Sequence, residues 1–302
     1  ISIMFYFITC LHTLDIEVEG EEMYYIKEIA KPNKFLKRCN WIKVKNDEII
    51  LPIQGEEIKS KQAQKLSIKT KKILQKTNTN KIVLSKEIKK QEDYCNDLYS
   101  YGFDIPDGKW LWEILSCESL DYVVEKRNLK KQELMVSILV NQLSEVTLQN
   151  IKQLVKEYKR INIVTNHMHQ LKRLEDEMLE QEGMMITVTN NKKKSILKSN
   201  LILNIDFPTE LINQYQIKED AVILNIQGNV KIKKKRFSGI CINDYEIKKI
   251  QGLEYEDIEN QFWNKDIYEA YFYKRQPIEE IKKKIRKDNV QIAWLQGLRE
   301  RI

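Results

Sequence analysis

Val136-Ser137-Ile138-Leu139-Val140, Ile161-Asn162-Ile163-Val164, Met185-Ile186-Thr187-Val188, Leu201-Ile202-Leu203 and Val222-Ile223-Leu224 are five apolar runs whose reading decides the fold. Each is short, continuous and rich in branched side chains, the pattern of a strand covered on both faces. Helical spacing fills the gaps, over 148–158, 169–182, 193–198 and 209–215. Strands alternating with helices across short connections demand right-handed crossovers. The expected product over about 134–228 is a parallel, doubly wound α/β sheet.

Upstream, residues 24–29 and 41–53 read as extended, with Ile42, Val44 and Ile49-Ile50-Leu51 as strand formers and Asn46-Asp47 as a turn. In the next segment Ala63, Leu66, Ile73 and Leu74 fall near helical spacing. Lys59, Lys61, Lys65, Lys69 and Lys72 take the remaining positions, which is the pattern of a solvated face. Ile82-Val83-Leu84 is a short buried strand leading into a helix that stops before Tyr101-Gly102-Phe103. Asp107-Gly108 opens a longer helix over 110–125, whose Trp110 and Trp112 suit core or domain contacts. With the Lys-rich residues 126–131 that helix is expected to connect two domains.

Downstream, residues 230–236 and 239–247 are expected to pair antiparallel at the sheet edge. The remainder reads as helical: Trp263, Ile267 and Tyr271 lie four apart, and Ile278, Ile281 and Ile285 follow Pro277, a helix-start residue. The chain opens on Ile1, and Glu19-Gly20-Glu21-Glu22 is encodable by a purine-rich run like a ribosome-binding site. Met23 is therefore the expected native start. The apolar residues 1–11 lack the basic leader and small-residue cleavage site of a signal peptide. The expected organisation is 1–22 as a non-native or disordered extension and 23–130 as a smaller N-terminal α/β domain with its connecting helix. A doubly wound domain over 131–250 and a helical C-terminal segment over 251–302 complete it.

A chain of 302 residues with 42% hydrophobic and 31% charged residues has the composition of a globular protein with a sizeable core. The net charge of +7 permits a weak attraction to polyanions. Lys greatly outnumbers Arg, however, and Ile and Asn are frequent, as AT-rich coding would produce. Cys10, Cys39, Cys95, Cys117 and Cys241 form no C-x-x-C pair, so reduced thiols in a cytoplasmic protein are expected rather than disulfides or zinc. No apolar stretch approaches the ~20 residues of a membrane-spanning helix.

A small α/β domain, a connecting helix and then this alternating unit resemble the amino-acid-dehydrogenase-like group, which includes shikimate and methylenetetrahydrofolate dehydrogenases. Ser199-Asn200-Leu201-Ile202-Leu203-Asn204-Ile205-Asp206 is similar to the fourth strand of that group's NAD(P)-binding domain, and residues 185–199 to the strand and helix before it. The chain is also similar to an uncharacterised Gram-positive (clostridial-type) family to which no activity attaches. The dehydrogenase resemblance implies a Rossmann-like domain and an NAD(P) cofactor, but the decisive motif is missing. In that group a glycine-rich turn follows the first strand, because only glycine lets the backbone approach a pyrophosphate closely. Here the strand ends Val140-Asn141-Gln142-Leu143-Ser144-Glu145-Val146-Thr147, without glycine. Ser144 or Thr147 suits a helix N-cap, and a Glu145 carboxylate in the first turn satisfies the helix's positive end while repelling phosphate. At the end of the second strand the acid expected to bind a ribose is replaced by Asn166, with Lys172 and Arg173 beyond it.

Ligands of open α/β sheets bind outside the carboxyl ends of the strands. The candidate cleft lining is therefore Asn141, Ser144, Asn166, Asn190, Asn204, Asp206 and Asn225. Turn and cap chemistry explains the same residues equally simply. Asp206, just before Pro208, is either a helix-end cap or a ligand contact. His167 and His169 have no evident third ligand, so no metal site is assigned. The basic residues 231–236 suit edge protection and 282–287 the polar face of a helix, with nucleic acid a secondary candidate partner. No catalytic residue emerges. The sequence favours a ligand-binding or regulatory/interaction module with a degenerate Rossmann-like domain, its partner an unknown small ligand or protein. A divergent NAD(P)-dependent oxidoreductase of the shikimate/amino-acid-dehydrogenase-like type is the alternative.

Overall fold

The structure, a computed structural model, describes residues 23–29, 39–53, 57–77, 79–226, 230–232, 237–250, 261–272, 276–297 and 301–302. The expected extension over 1–22 lies outside them. The chain divides into two compact units, residues 1–105 and 106–302.

The first unit contains β1 (Tyr24–Glu28), β2 (Lys43–Lys45), β3 (Glu48–Leu51), α1 (Ser60–Thr77), β4 (Ile82–Leu84), α2 (Lys86–Lys89) and α3 (Glu92–Ser100). Its sheet has the order β2-β3-β1-β4, with β1 parallel to both neighbours and β2 antiparallel to β3. The β2–β3 hairpin turns at Asn46-Asp47, where Asn46 has φ 52°, a left-handed conformation that asparagine tolerates. α1 buries Ala63, Leu66 and Leu74 and exposes Lys61, Lys65, Lys69 and Lys72, so its lysines form the solvated face that the spacing predicts.

The second unit opens with α4 (Lys109–Ile114) and α5 (Ser116–Lys126), a break at Leu115 dividing the single helix expected there. Then follow β5 (Met135–Leu139), α6 (Glu145–Glu157), β6 (Arg160–Val164), α7 (Met168–Leu171), α8 (Arg173–Glu182), β7 (Thr187–Thr189) and α9 (Lys192–Lys198). β8 (Leu201–Asn204), α10 (Thr209–Asn213), β9 (Val222–Asn225), β10 (Ile240–Ile247), α11 (Asn264–Ala270), α12 (Ile278–Lys287) and β11 (Ile292–Gly297) complete it. The sheet order is β7-β6-β5-β8-β9-β10-β11. Its first six strands are parallel, in the 3-2-1-4-5-6 order of the Rossmann fold. Val136, Ile138, Leu201, Leu203, Val222 and Leu224 pack into one core layer; Leu139, Ile202 and Ile223 face a second. Both faces of β5, β8 and β9 are covered, which is why these strands read as continuous apolar runs; the run expected at 185–188 is instead the edge strand β7, with Met185 84% exposed and Thr187 exposed.

Two expectations fail at the far edge. Residues 230–232 form no strand, and 233–236 lie outside the described residues. β10 instead pairs parallel with β9, and its antiparallel partner is β11, within the segment expected to be helical. The reason lies in side chains. Asn243 Oδ1 accepts the Val230 N–H at 2.9 Å and Asn243 Nδ2 donates to the Val230 carbonyl at 3.2 Å. The amide thus satisfies both backbone groups of Val230, while the two edges of β10 are taken by β9 and β11. The helical stretch expected to link the domains lies in the second unit, where Leu111, Trp112, Leu120 and Val123 enter the same core as β5.

Candidate functional site

Order reverses between β5 and β8, and the crevice at their carboxyl ends is where a Rossmann sheet receives its ligand. The loop leaving β5 runs through Asn141 and Gln142 to Ser144. Across from it, the loop after β8 carries Asp206, half-buried. Both carboxylate oxygens of Asp206 lie 2.8 Å from the Asn141 nitrogen, and Oδ2 also accepts the Gln142 N–H at 2.8 Å. Two backbone donors at this end of β5 are therefore already bound to an anion of the chain itself. Asn141 Oδ1 accepts the Asn166 N–H at 3.0 Å, tying the ends of β5 and β6 together.

α6 begins at the same place. Ser144 is its N-cap, accepting the Thr147 N–H at 2.9 Å. Glu113, from α4, accepts hydrogen bonds from Ser144 Oγ at 2.5 Å and Thr147 Oγ1 at 2.7 Å. Glu145 occupies the first turn. Two carboxylates thus sit against the positive end of the helix that, in a dinucleotide site, faces the pyrophosphate.

The remaining predicted positions separate into two groups. Asn204 and Asn225 do not line a cleft: they are 0% and 1% exposed. Asn204 Oδ1 accepts from Phe207 N–H at 3.0 Å, and its Nδ2 donates to Asn225 Oδ1 at 2.6 Å and to the Phe207 carbonyl at 2.9 Å. Asn225 Nδ2 donates in turn to Asn243 Oδ1 at 3.1 Å. This amide ladder joins the ends of β8 and β9 to the middle of β10, and turns the amides of Asn204 and Asn225 toward one another. Asn166 and Asn190 are exposed, as are His167 and His169. Among the described residues no group of three or more His, Cys, Asp or Glu could hold a metal ion.

No family model and no curated protein matches the chain. Among solved structures it is similar to L-tryptophan dehydrogenase from Nostoc punctiforme, at 9% identity and a TM-score of 0.32, over 68% of this chain and 62% of that one. It is also similar to a phosphoglycerate oxidoreductase from Vibrio Cholerae o395, at 9% identity and a TM-score of 0.35, over 71% and 78%. Shikimate 5-dehydrogenase from Listeria monocytogenes, in complex with shikimate and NAD, gives 9% identity and a TM-score of 0.31 over 87% and 96%. The chain thus spans less than two thirds of the tryptophan dehydrogenase. Likenesses this slight carry no argument about substrate or reaction, and the fold assignment rests on strand order and direction.

Glu113 and Asn243 are the participants that sequence reasoning misses. Glu113 lies 31 residues before Ser144 and Asn243 lies 13 after Val230, at no diagnostic spacing. Behind the crevice, Asn150 continues the polar seam: its Nδ2 donates to the Glu113 carbonyl at 2.6 Å and Ser116 Oγ at 2.9 Å, while its Oδ1 accepts from Lys282 Nζ at 2.8 Å. Glu118, on the same seam, has a carboxyl held above its ordinary range by burial, which outweighs the Lys282 charge nearby. Burial also pushes the Cys241 thiol up to about 12, so it is an inert packing residue rather than a nucleophile.

Proposed function

We propose that this chain is a ligand-binding or regulatory module, built on a Rossmann-type sheet, that does not bind dinucleotides in the usual way. One observation carries the reading: Asp206 occupies the backbone donors that a pyrophosphate would need. Negative charge from Glu113 and Glu145 at the start of α6 acts in the same direction. The Asn141, Gln142 and Thr147 N–H groups are already bound internally, and an incoming phosphate would meet three carboxylates. Carboxylates whose oxygens are already engaged, Asp206 by backbone N–H groups and Glu113 by two hydroxyls, fit a scaffold better than a reaction centre.

A cytoplasmic setting belongs to this proposal, since Cys39, Cys95, Cys117 and Cys241 are all unpaired. No described helix is long and apolar enough to cross a membrane. Nucleic acid fits less well than a protein or small ligand. The basic helix α12 directs Lys282 inward to Asn150 and pairs Lys284 with Asp288 at 3.1 Å.

The second reading, a divergent NAD(P)-dependent oxidoreductase, draws on the strand order and on the exposed Asn166 at the end of β6. Thermal-shift and calorimetric titrations of the whole chain with NAD(H), NADP(H), ATP and a DNA oligonucleotide separate the two. No response to the nicotinamide cofactors is expected. Saturable binding of either cofactor in the micromolar range would replace the first reading with the second.

A further inference from the structure

We propose that Asp206 is a built-in anion that fills, and so shuts, a latent oxyanion site formed by the backbone N–H groups of Asn141 and Gln142. The inference rests on the reading that the switch point is closed, and it gives that closure a chemical form. Two successive N–H groups converging on one carboxylate are the arrangement by which backbone concavities hold phosphate and carboxylate ions.

The loop that carries the donors is held on both sides without Asp206. Val140 N–H donates to the Val164 carbonyl at 3.0 Å just before them, and Asn141 Oδ1 holds Asn166 N–H at 3.0 Å beside them. After them, Ser144 caps α6 through Thr147. The loop that carries Asp206 is fixed independently, by Ile205 N–H to the Leu139 carbonyl at 2.9 Å and Phe207 N–H to Asn204 Oδ1 at 3.0 Å. Removing the carboxylate therefore leaves two fixed donors and a space of carboxylate size, half open to water. A small oxyanion is the ligand that matches both. Glu113 and Glu145 remain nearby, so its affinity is expected to be millimolar.

The test compares the wild-type chain with Asp206→Ala in inorganic phosphate against sodium chloride at equal ionic strength. It reads Tm and the amide NMR shifts of Asn141 and Gln142. In the variant, phosphate should move both amides saturably and raise Tm by roughly 3–5 °C at ten times its dissociation constant. The wild type should show neither effect. Should Asp206→Ala not fold, Asp206→Ser leaves similar space, keeps a hydroxyl for the loop and carries the same expectation. A folded variant whose two amides ignore phosphate overturns the proposal, and so does a wild type that responds equally. Failure of the parent reading looks different: NAD(H) or NADP(H) then stabilises the wild type with Asp206 in place.

Discussion

Glu113 and Glu118 stand five residues apart on successive helices, in opposite electrostatic situations. Glu113 accepts from two hydroxyls at the start of α6, so Glu113→Ala leaves Ser144 and Thr147 without that acceptor. The variant is expected to lose about 1–3 kcal/mol, read as a lower midpoint in urea at unchanged slope. Glu118 Oε2 is buried with no hydrogen-bond partner among the described residues. Burial raises its carboxyl above the ordinary 4.5, Asp121 adds repulsion, and Lys282 and Arg286 offset only part. A raised folded value means that the protonated form suits the folded state better. The stability it supplies is complete below the ordinary value and is lost as pH rises through the folded one. Glu118→Gln mimics the protonated form, so calorimetry at pH 7 should find its Tm above wild type. That gain should shrink as pH falls below the ordinary carboxylate range, where the wild-type group takes up its proton. An unchanged Tm at pH 7 would mean that Glu118 has a partner when ionised.

At the scale of elements, the far side of the sheet depends on Gly239. A Cβ there would lie 2.0 Å from the Ala221 carbonyl oxygen, which the Ile240 N–H binds at 3.2 Å as β10 joins β9. A backbone atom cannot yield as a flexible side chain can. Gly239→Ala is therefore expected to cost about 2–3 kcal/mol and to increase amide exchange along β10, both measurable by hydrogen-exchange mass spectrometry. This edge is also where the sequence is least legible. β5, β6, β8 and β9 announce themselves because burial on both faces favours apolar, branched residues, whereas β7 lies at the sheet edge with Thr187 exposed; the missing glycine after β5 is visible in the order of residues there. Ile240-Cys241-Ile242 is equally apolar, but nothing in it distinguishes a parallel partner from an antiparallel one. Its partners are β9, reached through the connection after Asn225, and β11, arriving from 45 residues downstream. β11 itself, Ile292-Ala293-Trp294-Leu295-Gln296-Gly297, alternates too weakly to separate from a helix end. The site divides in the same way. Ser144 as a cap follows from local chemistry, whereas Asp206 filling the crevice depends on two loops 64 residues apart.

For the whole molecule, the question is where the second unit begins. A boundary at 131 would start it at the doubly wound sheet, whereas contacts divide the chain after Ile105. The physical difference is α4 and α5. Leu111, Trp112, Ile114, Leu120, Val123 and Val124 are buried in the core that covers β5 and α6, and Trp112 stacks on Tyr245 with ring centroids 5.1 Å apart. Tyr245 Oη also donates to the Gly108 carbonyl at 2.8 Å, and Glu269 accepts the Leu111 N–H at 3.0 Å. Starting at 131 removes these partners together with Glu113, exposing an apolar face and uncapping the hydroxyls at α6. Fully buried side chains of this kind contribute about 1.5–3 kcal/mol each, so the loss of six, roughly 9–18 kcal/mol, is as large as the ~5–15 kcal/mol that holds a domain folded. A fragment of residues 106–302 is therefore expected to be soluble, with one cooperative thermal transition, and a fragment of 131–302 to aggregate or lack near-UV circular dichroism. The pair of results also bears on the closed crevice. If 131–302 folded, Glu113 would be dispensable, and the negative charge at the start of α6 would reduce to Glu145 alone.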